Sequence, residues 1–509
     1  MTHKSLYEII FTLENSSNCL EIVNEDINLS IKYSDLYRLI MHNTGQYLKH
    51  GVSKNDCVLI AMESSLEKIV SFLSLVVIGA IPLSIKPGNY VDKSYIEYID
   101  SIVSRHNVNY CIDDALKSDT IFSLPVNCSL GEVNDECESI NRKPNLGNDI
   151  AFVQFSSGST SDPKPVTISN SALMHNLQAI VKYDKREKSN LFMNVLPLCH
   201  DMGLVGGFLS SLYTGNSLLL IDTGKFLRNP LKYLKYSYQL HASITAMPDF
   251  ILKYLTKYIG LYRGKKDIPK IFSNYTSIYC GAESIRRLTI NGFLSIAIEL
   301  GLNTKSLIFC YGMAEATLLV SAHRFSSFDL SFNKCGLHQS ACVGEVINGL
   351  QVKIGSIDSS EEIMLKGESL FSGYELNKFG PMKNWFATGD LGYIKNNKLY
   401  ITGRSKDMIT VNGENYYSID IENYLLETYS IKESLVIPTG DSYDVVIIPG
   451  KATFDKYNIK EGLSNAFGLM PCNIYFVKPA NIIRTTSGKP IKTKTISNIK
   501  ANDIERISV

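Results

Sequence analysis

No one sign of charge dominates these 509 residues: 51 Lys and Arg face 50 Asp and Glu, a formal net charge of +1. So small an excess gives no global basic field, which argues against a nucleic-acid binder. Metal-cage spacing is missing as well. The eleven cysteines are scattered, with no Cys-x-x-Cys pair and no His/Cys cluster, as suits reduced, mostly buried thiols in a cytoplasmic protein. The start, Met1-Thr2-His3-Lys4-Ser5-Leu6-Tyr7-Glu8, lacks the apolar core of a secretory leader. The most apolar run, Ile69 to Ile85, is interrupted by Ser71, Ser74, Gly79 and Pro82. It reads as a buried helix running into a buried strand, and no membrane span is expected. Internal repeats and low-complexity segments are absent too. What remains is an ordinary composition, 45% apolar and 20% charged, over a length that predicts two or more domains.

Strand and helix signals alternate early in the chain. Tyr33 to Ile40 begins a helix with Ser34 as a candidate cap, Cys57 to Met62 reads as a short buried strand, and Ser64 to Ile78 returns to helix. This alternation predicts α/β layers around a largely parallel sheet. Tyr110-Cys111-Ile112-Asp113 is weakly strand-like, and residues 118 to 148 are irregular and polar.

The apolar run Ile150-Ala151-Phe152-Val153 then stops abruptly at Phe155-Ser156-Ser157-Gly158-Ser159-Thr160-Ser161-Asp162-Pro163-Lys164-Pro165-Val166. Small hydroxyls and a glycine after a strand let backbone N–H groups and side chains converge on phosphate oxygens. Lys164 adds a point charge for outer phosphates. The Walker A spacing is missing. Taken alone, the stretch reads equally well as a Ser/Gly-rich surface turn.

Three later strands end in similar turns. Ser171 to Tyr183 reads as a helix capped by Ser169 or Asn170, followed by a strand that ends at Pro197-Leu198-Cys199-His200-Asp201-Met202-Gly203-Leu204. His200 and Asp201 read either as pocket residues or as an ordinary histidine beside a helix-capping aspartate. A dyad is disfavoured, because adjacent residues rarely point at one target. Ser277 to Ser284 and Leu307 to Thr317 repeat the design of a strand ending at small residues. Ligands of parallel sheets bind at the carboxyl ends of strands, so the four loops are expected to converge. From Val343 onward, glycines punctuate short strands and predict a small β-rich subdomain. There Asp390 is expected in a turn, where a carboxylate accepts both hydroxyls of a ribose or simply makes an Asx-turn. Thr402 to Asp407 reads as a hinge, followed by about a hundred residues of α+β pattern. Arg484-Thr485-Thr486-Ser487-Gly488-Lys489 is a polar loop carrying a lysine.

In this order, from roughly Leu36 to Lys489, these stretches resemble the adenylate-forming superfamily of acyl-CoA synthetases, luciferases and peptide-synthetase adenylation domains. The phosphate loop, Tyr311-Gly312-Met313-Ala314-Glu315, Thr388-Gly389-Asp390, Gly403-Arg404 and Thr486-Ser487-Gly488-Lys489 carry the likeness. Pro197 to Leu204, Gly281-Ala282-Glu283-Ser284-Ile285-Arg286, Tyr311 to Leu318, and Gly403 to Ile409 followed by Gly413 to Glu422 are similar to fatty acyl-AMP ligases. Two departures stand out. Ser161 and Pro165 occupy positions where the superfamily usually has glycine, and the segment between Val320 and Val343 is short for the insertion typical of that branch.

The resemblance implies a large N-terminal domain, residues 1–403, of layered α/β subdomains with the β-rich one. A small mobile α+β domain, residues 404–509, would follow. It implies ATP and Mg²⁺ as cofactors, a fatty or related carboxylic acid as substrate, and a phosphopantetheinylated acyl carrier protein or coenzyme A as acceptor. Lys489, Glu315 and His200 would be catalytic. Ser156, Ser157, Gly158, Ser159, Thr160 and Lys164 would cradle phosphates, with Thr160 and Glu315 holding the metal. Gly281, Ala282, Glu283, Tyr311, Gly312 and Met313 would border the adenine, and Asp390 with Arg404 the ribose. His200, Asp201 and Met202 would line the acyl pocket, and Lys406 would be the pivot. Aryl or amino acid adenylation and a catalytically silent adenylate sensor are the competing readings.

Overall fold

Val58-Leu59-Ile60 and Leu218-Leu219-Leu220-Ile221 have no polar face, so they suit only strands covered on both sides. In the computed structural model they lie in two sheets. The structure describes residues 3–23, 28–88, 93–113, 122–132, 149–156, 164–262, 268–335, 338–354, 362–376, 380–411, 414–429, 431–450, 456–484, 490–501 and 506–508. A six-stranded sheet runs Phe122–Ser123, Tyr110–Ile112, Cys57–Ile60, Ile81–Ser84, Ile150–Ser156, Lys164–Ser169, parallel except for its last pair. Helix Leu66–Ile78 is buried nearly all round beside it. Ser65 accepts from the Lys68 N–H at its start, and Gly79 closes it at φ 82°. The apolar run that could have suggested a membrane is thus core, and no described helix is long and apolar enough to cross a bilayer.

The larger sheet holds the parallel strands Leu307–Gly312, Ser277–Cys280, Ile244–Ala246, Leu191–Asn194, Ser217–Ile221 and Cys19–Val23, side by side in that order. Chain order reverses at Leu191–Asn194: the next strand, Ser217–Ile221, lies on one side of it and the following one, Ile244–Ala246, on the other. A crevice opens where strand order reverses in this way.

Several expectations shift. The first long helix is Tyr33–Lys49, with Lys32 rather than Ser34 at the cap position and no side-chain cap. Its start is fixed instead by the buried Tyr33, whose hydroxyl donates to the Asn216 carbonyl at 2.8 Å. The glycine-rich strands after Val343 make the expected β-rich part, Leu350–Ile354, Glu362–Gly367, Phe386–Lys395 and Lys398–Arg404 paired antiparallel, and it is continuous with the larger sheet. Strand His338–Val346 pairs with Leu319–Arg324 through Ser321 and Val346, so the antiparallel strands extend the larger sheet. The glycine-rich segment after His200-Asp201 is a π-helix, Met202–Leu209. A Cβ on Gly203 would lie 2.3 Å from the Pro197 carbonyl oxygen, so only glycine permits this path. Carbonyls of the wide turns are met by Asn194 Nδ2 on Gly203 (3.1 Å) and by Ser211 Oγ on Gly207 (2.8 Å).

Buried side chains from Leu6 to Leu399 form the main cluster, whereas two others draw only on residues from Ile409 to Ile499. The later part contains sheet Ile431–Pro438, Tyr443–Pro449, Asn473–Phe476, Arg506–Ser508 and helix Ser418–Thr428. It meets the earlier part through charge. Arg286 lies 3.8 Å from Asp249 and 3.3 Å from Glu422; Lys492 lies 3.3 Å from Glu422 and 3.5 Å from Asp407. Glu422 also accepts the Val436 N–H at 3.1 Å, and Asp420 accepts the Gln339 N–H at 3.1 Å. Glu422→Gln keeps an acceptor for Val436 but removes the charge shared by Arg286 and Lys492. Loss of about 1–2 kcal/mol of contact should raise tryptic cleavage after Arg404 or Lys406 by roughly 5- to 30-fold. Unchanged cleavage would show that the ion chain does not hold the two parts together.

Candidate active site

Parallel strands end on one edge, and here that edge gathers most of the predicted residues. Strand Leu191–Asn194, at the order reversal, leads to His200 and Asp201; Ser277–Cys280 leads to Gly281; Leu307–Gly312 leads to Glu315. The Leu198 N–H donates to Ser64 Oγ at 2.9 Å, which ties the His200 turn to the six-stranded sheet. Asp201 begins the π-helix and accepts the Met202 N–H at 2.7 Å. Its carboxylate is close enough to repel Glu315, whose own carboxyl is pushed up mainly by burial and pulled back partly by hydrogen bonds. Burial, with Asp201 beside it, also pushes the Cys310 thiol up to about 12.

Asp390 is not in a turn. It lies within strand Phe386–Lys395, opposite Arg404 in strand Lys398–Arg404, and Gly389 at φ 72° aims it inward. Arg404 Nε donates to its Oδ1 at 3.0 Å and the Tyr311 hydroxyl to its Oδ2 at 2.7 Å. Each carboxylate oxygen keeps a further lone pair for a ligand hydroxyl. Burial, then the Asp390 charge, holds the Tyr311 phenol well above its ordinary range. Lys406 follows in the short helix Ser405–Asp407, its ammonium pushed down first by burial and then by Arg404.

Other predicted residues also have contacts within the fold. Glu283 Oε1 accepts the Phe250 N–H at 2.7 Å, at the start of helix Asp249–Gly260. The first-turn N–H groups of a helix attract just such an anion. Met202 is buried within the main core. Gly281 and Gly312 are small for their own chain's sake. A Cβ would lie 2.5 Å from the Cys310 carbonyl oxygen in the first case and 1.9 Å from that of Leu318 in the second. Ala282 follows at φ 65°, and Met313 donates its N–H to Leu318 at 2.9 Å. His200 is held by its backbone, its N–H to Pro197 at 3.2 Å and its carbonyl to the Leu204 N–H at 2.8 Å. Lys164 is not in a loop but starts edge strand Lys164–Ser169, opposite Ser156; an edge also accommodates Pro165. Ser157, Gly158, Ser159, Thr160 and Lys489 lie outside the described residues.

Tyr374 did not stand out in the sequence. Its hydroxyl donates to Glu315 Oε1 at 2.9 Å, and Lys164 Nζ lies 5.2 Å from its ring centroid. The only linear signal was a tyrosine after Ser372-Gly373, in a stretch where glycines were read as turn markers.

Residues 19–375 match the family model described as AMP-binding enzyme. The chain belongs to the AMP-binding enzyme family. Among relatives of this AMP-binding enzyme is the medium-chain-fatty-acid–[acyl-carrier-protein] ligase TtuA of Teredinibacter turnerae. It is 29% identical over 71% of this chain, and the match spans 64% of TtuA's own length. The long-chain-fatty-acid–AMP ligase FadD28 of Mycobacterium tuberculosis is 24% identical over 95% of this chain and 94% of its own. A solved structure from work on fatty acyl-adenylate ligases of E. coli and L. pneumophila shares the fold. Its TM-score is 0.83 at 22% identity, over 98% of each chain. In this AMP-binding enzyme, Asp390→Asn would set an amide N–H₂ against Arg404 or Tyr311, donor against donor. Calorimetry should show AMP affinity falling at least about tenfold, as expected for a lost hydrogen bond to a charged group. Unaltered AMP affinity would remove Asp390 from the nucleotide site.

Proposed function

We propose that this AMP-binding enzyme activates a fatty acid with ATP and passes the acyl group to the phosphopantetheine thiol of an acyl carrier protein. The observation that carries the reading is the set of contacts that joins Tyr311, Asp390 and Arg404 and brings Glu315 within the charge of Asp201 and Arg404. TtuA and FadD28, aligned across most of this chain, support the fatty substrate, and TtuA the carrier protein.

In the first half-reaction a carboxylate oxygen attacks the α-phosphorus of ATP, a P–O bond to pyrophosphate breaks, and acyl-AMP forms. Two anions must meet, so the protein's contribution is positioning and charge neutralisation. Lys489 would lie between the carboxylate and the phosphate. Ser156, Ser157, Gly158, Ser159 and Lys164 would receive the outer phosphates, and Asp390 with Arg404 the ribose. His200 and Asp201 would stand at the mouth of the acyl pocket. Glu315 and Asp201 repel one another at this edge, and no cluster of three ligating His, Cys, Asp or Glu occurs among the described residues. Such an oxygen-donor set suits Mg²⁺, which keeps phosphate and water as most of its ligands; Glu315 and Thr160 would hold it, and it would offset phosphate charge.

In the second half-reaction a thiol attacks the acyl carbon and AMP leaves. Residues 404–509 form a domain that turns about Lys406 between the two steps and withdraws Lys489. Coenzyme A as acceptor is the second reading. It is favoured by the short segment after Val320, whose described residues hold the end of strand Leu319–Arg324, helix Phe328–Ser331 and strand Phe332–Cys335 before His338–Val346.

With ATP, Mg²⁺, fatty acids of graded length and either acceptor, mass spectrometry should find acyl-AMP and transfer to the carrier protein. Ready acyl-CoA formation would reassign the acceptor, and no adenylate from any acid would refute activation. Lys489→Ala should abolish adenylate formation yet leave transfer from supplied acyl-AMP largely intact; equal loss of both would sink the alternating arrangement.

A further inference from the structure

We propose that Tyr374 is a positioning residue that sets two opposite charges of the site at fixed places, its hydroxyl holding the Glu315 carboxylate and its ring seating the Lys164 ammonium. The inference deepens the adenylate-forming reading and rests on it. The hydroxyl lies 2.9 Å from Glu315 Oε1 and the ring centroid 5.2 Å from Lys164 Nζ. Both partners need such help. Glu315 stands near the like charge of Asp201, which turns an untethered carboxylate away. Lys164 is exposed at the end of an edge strand, where an ammonium on four methylenes samples many rotamers. An aromatic face attracts the cation without neutralising it.

The spacing has a second consequence. No ion pair joins Lys164 to Glu315 among the described residues; the ammonium meets the tyrosine's ring face and the carboxylate its hydroxyl. A direct pair would spend each charge on the other. Kept apart, the cation remains available to an outer phosphate and the carboxylate to a cation beside it.

Tyr374 is itself held by backbone stitched to both partners' elements. The Phe371 N–H donates to the Glu315 carbonyl at 2.8 Å, and Thr317 Oγ1 to the Ser369 carbonyl at 2.7 Å. On the other side the Ser372 N–H donates to Thr167 at 2.8 Å and the Thr167 N–H to Gly373 at 3.2 Å. Thr167 shares strand Lys164–Ser169 with Lys164. The Phe371 ring packs edge-on against Tyr374 at 4.8 Å. The segment 369–375 therefore straps the Lys164 strand to the Glu315 turn, with the tyrosine between them.

Two variants separate the hydroxyl from the ring. Tyr374→Phe keeps the seat for Lys164 and loses the tether on Glu315; Tyr374→Leu loses both. Calorimetry with pyrophosphate and with AMP, each without metal, reads the ring. Tyr374→Phe should match the wild type for both ligands, whereas Tyr374→Leu should weaken pyrophosphate by roughly 2- to 5-fold, the scale of an exposed cation–π contact, with AMP unchanged. Exchange of labelled pyrophosphate into ATP reads the hydroxyl. Its kcat should fall by roughly 10- to 100-fold in both variants, the scale of a hydrogen bond to a charged group, with a raised Mg²⁺ half-saturation. Equal pyrophosphate affinity in the two variants would overturn the ring's role, and wild-type exchange in Tyr374→Phe that of the hydroxyl. A parallel loss of AMP binding would make the residue merely structural. Should the wild type bind both ligands yet exchange with no carboxylic acid, the adenylation reading fails while the binding comparison still judges Tyr374.

Discussion

Parallel pairing constrains everything else in this molecule. Strands that run the same way must deliver their following loops to the same edge. Three of them, Leu191–Asn194, Ser277–Cys280 and Leu307–Gly312, therefore bring residues far apart in the chain to one line. Only where neighbours in the sheet stop being successive in the chain does the edge part to admit a ligand. That place is the end of Leu191–Asn194, and the turn issuing from it carries His200 and Asp201. The glycines at these ends serve the same constraint, since Gly281 and Gly312 lie where a side chain would strike neighbouring carbonyls.

Charged groups around the site are each matched to a partner. Asp390 is answered by Arg404 and the Tyr311 hydroxyl, and Glu315 by the Tyr374 hydroxyl with Asp201 opposing it. Lys164 leans on an aromatic ring instead of a carboxylate. Burial raises the cost of leaving any of these groups unmatched, so each partner has a fixed address. The ion chain from Asp249 through Arg286, Glu422 and Lys492 to Asp407 extends the same logic to the boundary between the earlier and later parts. Water stabilises both partners of an ion pair once they separate, whereas a broad apolar contact resists opening.

Much of the site was legible because its residues sit in short runs that carry their own physics. Asp201 precedes an apolar glycine-rich segment and accepts a helix-start N–H; Ser169 caps helix Asn170–Asp184. Other roles were hidden by longer-range competition. Asp390 looked like a turn residue because Gly389 stands before it, yet pairing with the strand of Arg404 draws both into the sheet. Glu283 sits beside Gly281-Ala282, and its carboxylate reaches the start of helix Asp249–Gly260, 33 residues back in the chain. Tyr374 is separated by 59 residues from the Glu315 it touches, and local pattern cannot report such a distance.

The sequence by itself determined the layered α/β architecture, the order of strands ending in small residues, and the chemical kinds of group the site would use. Periodicity and side-chain chemistry act over a few residues and need no fold to be read. Tertiary structure alone decided which of those groups meet. It put the order reversal at the His200 turn, joined the antiparallel strands after Val343 to the larger sheet, and set a tyrosine between Lys164 and Glu315. Sheet order and side-chain contact depend on the summed packing of residues hundreds of positions apart, and no single stretch contains that sum.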